Sequence, residues 1–192
     1  MEIIKMNTTK NKDAVRDLTA SAVCLALCML LPYLTGQVPQ FGQALAPMHI
    51  PVFLCAFICG PLYAAVIGLT APLLRMIIIG MPMPFMAITM CFELAAYGIV
   101  AGIFYKLLPK NTVSVYVSLI IAMLLGRVVW GIATLQLWKT AIFPALPFGW
   151  NDFGWDQFLS GAFITAVPGI ILHIILIPVI VIALQKARII KH

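Results

Sequence analysis

The sequence predicts an all-α integral membrane protein, a six-transmembrane-helix bundle with outward lid-like loops. Three observations lead there. The 192-residue chain is 63% hydrophobic, with a mean hydropathy of +1.08. Only 9% of it is charged, whereas a soluble domain carries about a quarter to wet its surface. The apolar residues fall into six runs divided by proline, glycine or charge, and no long hydrophilic segment is present to form a soluble domain.

Residues 1–17 open with the basic stretch MEIIKMNTTKNKDAVR and are expected as a cytoplasmic terminus. The first span, Leu18–Leu34, is not followed by a small-residue cleavage site, so it is expected to be retained rather than removed as a signal peptide. The second run, Met48–Cys59, is shorter than the roughly twenty residues a crossing needs. It must either borrow residues from the preceding loop or be irregular where other helices cover it. Gly60-Pro61 turns the chain into the third span, Leu62–Ile79. The fourth runs over Phe85–Leu107, the fifth over Val113–Trp138 and the sixth over Phe158–Leu184. One membrane domain, 18–185, and a basic cytoplasmic tail, 186–192, complete the organisation.

Orientation follows from lysine and arginine in short loops. Lys5, Lys10, Lys12 and Arg16 precede the first span, Lys106 and Lys110 separate the fourth and fifth, and Lys186, Arg188 and Lys191 follow the sixth. With six spans these groups share one side, so both termini are expected in the cytoplasm of a cell-membrane protein. The net charge of +6 is then a topology signal and calls for no nucleic-acid partner. The opposite loops, TGQVPQFGQALAPM, GMPMP and KTAIFPALPFGWNDFGWD, are rich in proline, glycine and aromatics. They read either as a lid over the outer mouth or, for Trp138, Trp150 and Trp155, as an interfacial belt.

The five cysteines lie in apolar runs. Cys24 and Cys28, like Cys55 and Cys59, are four apart, but no histidine or carboxylate accompanies either pair at ligand spacing. They read as small packing residues, and no metal or other cofactor is expected.

Glu93, Arg127 and Arg75 are the charges in or beside the spans. A charge there costs at least a few kcal/mol, so it should face the interior and be paired or used. Glu93 lies about eight residues into the fourth span and Arg127 about eleven from the outer end of the fifth, so their depths agree within about a turn. A Glu93–Arg127 pair is expected. It either fastens two helices or lines a polar pocket open to the outside. Gly126 and Gly131 leave room beside Arg127, and Trp130 offers a flat wall on its face. Thr89 and Tyr97 flank Glu93 at four residues on either side and add hydroxyls to one stripe. Arg75 either snorkels to the interface or turns inward, giving two arginines, one glutamate and a net charge of +1 that suits a small monoanion. His49, at the outer end of the second span, reads first as a packing residue and joins the candidate binding set. His173 reads as packing. Asn151 in the last outer loop is a candidate hydrogen-bonding partner. No HExxH, GxSxG or glycine-rich phosphate loop is present, so neither an enzyme nor an ATPase is indicated.

The stretches APMHIPVFLCAFICGPLYAAVIGLTAPLLR, GMPMPFMAITMCFELAAYGIVAGIFYKLL and GRVVWG, from about Leu18 onward, resemble the substrate-binding S component of an energy-coupling factor (ECF) vitamin transporter. The resemblance implies capture of a vitamin from outside, docking on a transmembrane coupling protein with two cytoplasmic ATPases, and release inside as the subunit topples in the membrane. It implies a small-xxx-small docking face on the first helix, matched here by Ala22 and Ala26. The set is most similar to S components assigned to pantothenate, whose carboxylate Arg127 or Arg75 would hold. A cobalamin or a queuosine precursor remains an alternative cargo. A non-transporting scaffold or sensor with a structural ion pair, and a small intramembrane enzyme, are the readings from other classes.

Overall fold

The computed structural model describes residues 2–34, 44–109, 111–139, 154–187 and 190, with backbone alone for 2–12, 34 and 138. No strand occurs among the described residues. In order come α1 (Glu2–Leu34), α2 (His49–Ile58), α3 (Pro61–Ile79), α4 (Pro84–Leu107), α5 (Thr112–Lys139), a short α6 (Trp155–Leu159), a π-helical turn (Ser160–Ile164) and α7 (Val167–Lys186). Among these residues five stretches are long and apolar enough to cross a membrane: Asp13–Tyr33, Pro61–Ile79, Pro84–Leu107, Thr112–Leu137 and Trp155–Lys186.

α1 begins well before its apolar run. No proline or glycine occurs between Glu2 and Leu31, so nothing in the polar segment stops the helix. Residues 2–17, expected as a cytoplasmic terminus, are helical and continuous with the apolar part of α1.

The short second run folds as a regular helix, not an irregular segment. α2 has 10 residues and buries His49 through Phe57. It packs against α1, α3, α4 and α7. At about 1.5 Å per residue it is roughly 15 Å long, about half the hydrocarbon thickness. Being helical, it satisfies its own interior backbone groups, and its neighbours shield it from lipid. α2 is thus the centre of the bundle. Around it the core gathers Phe53, Ile67, Leu94, Leu119, Ile177 and Val181.

The cysteines behave as packing residues. Cys24, Cys28 and Cys55 join the core between α1 and α2, and the Cys28 thiol donates to the Met48 carbonyl at 3.6 Å. All five thiols are free.

α3 and α4 meet along a seam of small residues. A Cβ built on Gly68 would lie 2.6 Å from the Ala95 nitrogen, and one on Gly98 would lie 2.7 Å from the Ala64 carbonyl carbon. One on Gly102 would lie 2.7 Å from Pro61. Backbone cannot yield as a flexible side chain does, so Gly98→Ala must push the helices apart. The expected cost is about 1–3 kcal/mol, read as a lower melting temperature in detergent beside an unaffected control, Phe92→Leu, at an exposed position.

The sixth apolar run is broken rather than continuous. Pro168 has no N–H to offer the carbonyl one turn back, and the helix loosens just before it. The Thr165 amide donates to the Ser160 carbonyl at 2.9 Å, a wide turn. The Thr165 hydroxyl donates to the Ser160 and Gly161 carbonyls, each at 3.1 Å.

Candidate functional site: a buried Glu93–Arg127 cluster

Glu93 faces the bundle interior from α4 and is 2% exposed. Its Oε1 accepts a hydrogen bond from the Tyr97 hydroxyl at 2.7 Å. The Arg127 Nη1 of α5 lies 2.8 Å from the same oxygen. The expected ion pair is present, and the i, i+4 spacing of Glu93 and Tyr97 brings the hydroxyl to it. His49 Nε2 of α2 stands 3.8 Å from Oε1, beyond hydrogen-bond reach. One carboxylate thus gathers α2, α4 and α5.

The glycines beside Arg127 do not leave open space. The Tyr97 ring occupies the position a Gly126 side chain would take, and a Cβ on Gly131 would lie 2.5 Å from the Phe158 ring. Each glycine admits one aromatic ring.

Aromatic rings wall the cluster. His49 and Tyr97 lie 5.2 Å apart, and Phe53 and Tyr97 lie 5.1 Å apart. His173 of α7 stacks on His49 at 5.7 Å with 23° between planes, and tilts against Phe53 at 6.2 Å. His173 is held from its other side by a hydrogen bond to the Ala46 backbone. Gly169, one turn before it, lets α7 approach the Ala44–Leu45 segment, since a Cβ there would meet the Ala44 carbonyl oxygen at 2.5 Å.

Other predicted members lie elsewhere. Arg75 does not turn toward Glu93: its Nη1 donates to the Met29 carbonyl of α1 at 3.1 Å, and its guanidinium covers the Tyr33 ring at 5.5 Å. The Met29 carbonyl lies in the last two turns of α1, which ends at Leu34. The two-arginine site is therefore not formed. Thr89 is buried, but its hydroxyl donates to Met86 in its own helix at 3.1 Å. Trp130 stacks on Phe158 at 6.3 Å, in a second apolar cluster with Phe85, Met86, Leu135 and Leu137. Asn151 lies outside the described residues. Ala22 and Ala26 are both exposed on α1.

Phe53 was not singled out by the sequence reading, and His173 was assigned to packing. The signal for Phe53 was its place one turn after His49. Nothing local in α7 pointed to His173. Among the described residues no group of three or more histidines, cysteines or carboxylates is arranged to hold a metal.

A bundle of apolar helices around one buried, charge-paired polar cluster is a membrane protein with an intramembrane polar site, the usual mark of function at such depth. The family model for the ECF transporter substrate-specific component matches residues 16–183, and the chain belongs to that family. Comparisons with curated proteins and with solved structures gave no match. Family membership makes this a multi-pass membrane subunit of a vitamin or micronutrient importer, a transport component rather than an enzyme. Its partners are the coupling and ATPase components of that transporter.

Proposed function

We propose that this chain captures a small vitamin or related micronutrient from outside the cell, at the Glu93–Arg127–Tyr97–His49 cluster, and delivers it through an ATP-driven ECF transporter. The observation that carries the site is a buried carboxylate, Glu93, that draws three helices to one point. A guanidinium has five N–H donors, so Arg127 can hold Glu93 and still donate to an oxygen of the cargo. In this reading the chain crosses six times, with α2 and its approach serving as the second span. Both termini are cytoplasmic; the outer loops expected as a lid, with Asn151, lie mostly outside the described residues. Thr89, Trp130 and Arg75 are bonded or packed apart from this cluster and are left out of the site. Ala22 and Ala26 form the docking face for the coupling protein, which joins two ATPase subunits. Pantothenate is the first cargo to titrate, on the resemblance alone.

The test is titration calorimetry of the full chain in detergent against pantothenate and other vitamins, with co-purification of the coupling and ATPase subunits as a second readout. Saturable binding of one compound and recovery of the complete assembly are expected. A chain that assembles with neither subunit sinks the import reading.

A second reading rests on the closed geometry of the pair. At 2.8 Å the Glu93–Arg127 contact would also serve as a plain fastener between α4 and α5, in a scaffold or sensor that carries no cargo.

A further inference from the structure

The cluster carries one positive and one negative charge, in contact. The second arginine that would have made it net positive is committed to the Met29 carbonyl and the Tyr33 ring. A carboxylate cargo entering here would set two anions around one guanidinium in a buried site, and like charges without compensation are costly there.

What the cluster offers instead is uncharged hydrogen-bonding capacity. His49 is 4% exposed and His173 is 2% exposed. Both ring nitrogens of His49 and Nε2 of His173 have no hydrogen-bond partner. A buried polar atom left unpaired costs about 1–3 kcal/mol, and such groups call for an explanation. A neutral imidazole presents one donor and one acceptor. Two stacked imidazoles side by side therefore match a hydroxyl, an amide or a ring nitrogen, each of which donates, accepts or does both.

Resting on the binding reading of this site, we propose that His49 and His173 are cargo-contacting residues, and that the cargo is an uncharged small molecule bearing a hydroxyl, an amide or a ring nitrogen. Tyr97 and Phe53 supply the apolar walls against which its carbon skeleton lies. This moves the cargo away from pantothenate, which resemblance alone offers.

The experiment uses matched pairs that differ in the acid group: pantothenate against pantothenol, and nicotinate against nicotinamide. Each is titrated into the full chain in detergent at neutral pH. The uncharged member of at least one pair is expected to bind at least about tenfold more tightly than its acid. His49→Phe and His173→Phe keep a ring for packing but remove the nitrogens. Each is expected to weaken binding of the uncharged probe by about a hundredfold or more. The melting temperature is expected to equal or exceed wild type for His49→Phe, which removes only unpaired nitrogens, and to fall slightly for His173→Phe, which also loses the Ala46 hydrogen bond. Tighter binding of the acids overturns the proposal, as does unchanged affinity in both histidine variants or binding of no probe at millimolar concentration. Assembly with the coupling and ATPase subunits is read separately. A chain that assembles yet prefers acids loses only this inference, whereas one that binds pantothenol or nicotinamide yet never assembles loses only the import reading.

Discussion

Arg127→Ala is expected to lose cargo binding and much of the fold's stability together. Glu93 is buried, and its Oε1 would keep the Tyr97 hydroxyl but lose the Arg127 guanidinium, the one Lys or Arg within ion-pair distance of it among the described residues. Breaking a buried pair from one side costs about 3–5 kcal/mol, because the remaining charge is uncompensated. Loss of binding in the single variant is therefore ambiguous. The double variant Arg127→Met with Glu93→Gln removes both charges at similar volume, and the glutamine oxygen can still accept from Tyr97. It is expected to recover most of the melting temperature, since apolar or neutral replacements of a buried pair are often neutral or better. Cargo affinity is expected to stay at least about a hundredfold below wild type, the loss of a charge-assisted contact of about 3 kcal/mol. A double variant that melts like wild type and binds like wild type makes the pair a fastener and removes it from the site.

Ala22→Leu combined with Ala26→Leu is expected to abolish uptake by the whole transporter while leaving binding to the isolated subunit unchanged. Both alanines are exposed on α1, four residues apart and so on one face, beside the exposed Leu18 and Leu30. The opposite face, with Cys24 and Cys28, is buried against the core. Between helices in lipid, association depends on close packing and not on a hydrophobic drive, so small residues let backbones approach. Two leucines add bulk where the approach must occur, and nothing inside the bundle changes. The readouts are radiolabelled vitamin accumulation in cells or vesicles, co-purification of the coupling protein, and calorimetry of the isolated chain. Full uptake with both leucines present would move the docking face elsewhere. Loss of binding in the isolated chain would show that α1 supports the site as well.

The helices were largely legible because lipid imposes a one-dimensional rule. Backbone polar groups must be satisfied within each span, so apolar length and its interruptions translate almost directly into helix bounds. The third, fourth and fifth spans were placed within a residue or so of α3, α4 and α5. The departures have local causes. α1 ran on into the polar segment because nothing there ends a helix, and the sixth run loosened into a π turn before Pro168. The glycine seam of α3 and α4 was not singled out in the sequence, although Gly98 and Gly102 stand four apart in GIVAG.

Sequence by itself determined the membrane class, the short second run, and the Glu93–Arg127–Tyr97 constellation, since each follows from apolar length, charge depth or the i, i+4 rule. Only the tertiary structure decided that α2 lies at the centre, that Arg75 serves the end of α1, and that His173 stacks on His49. Those three depend on which helices are neighbours and how each is rotated about its axis. In lipid that choice is made by close packing of side chains distant in sequence, and hydropathy along one chain does not encode it.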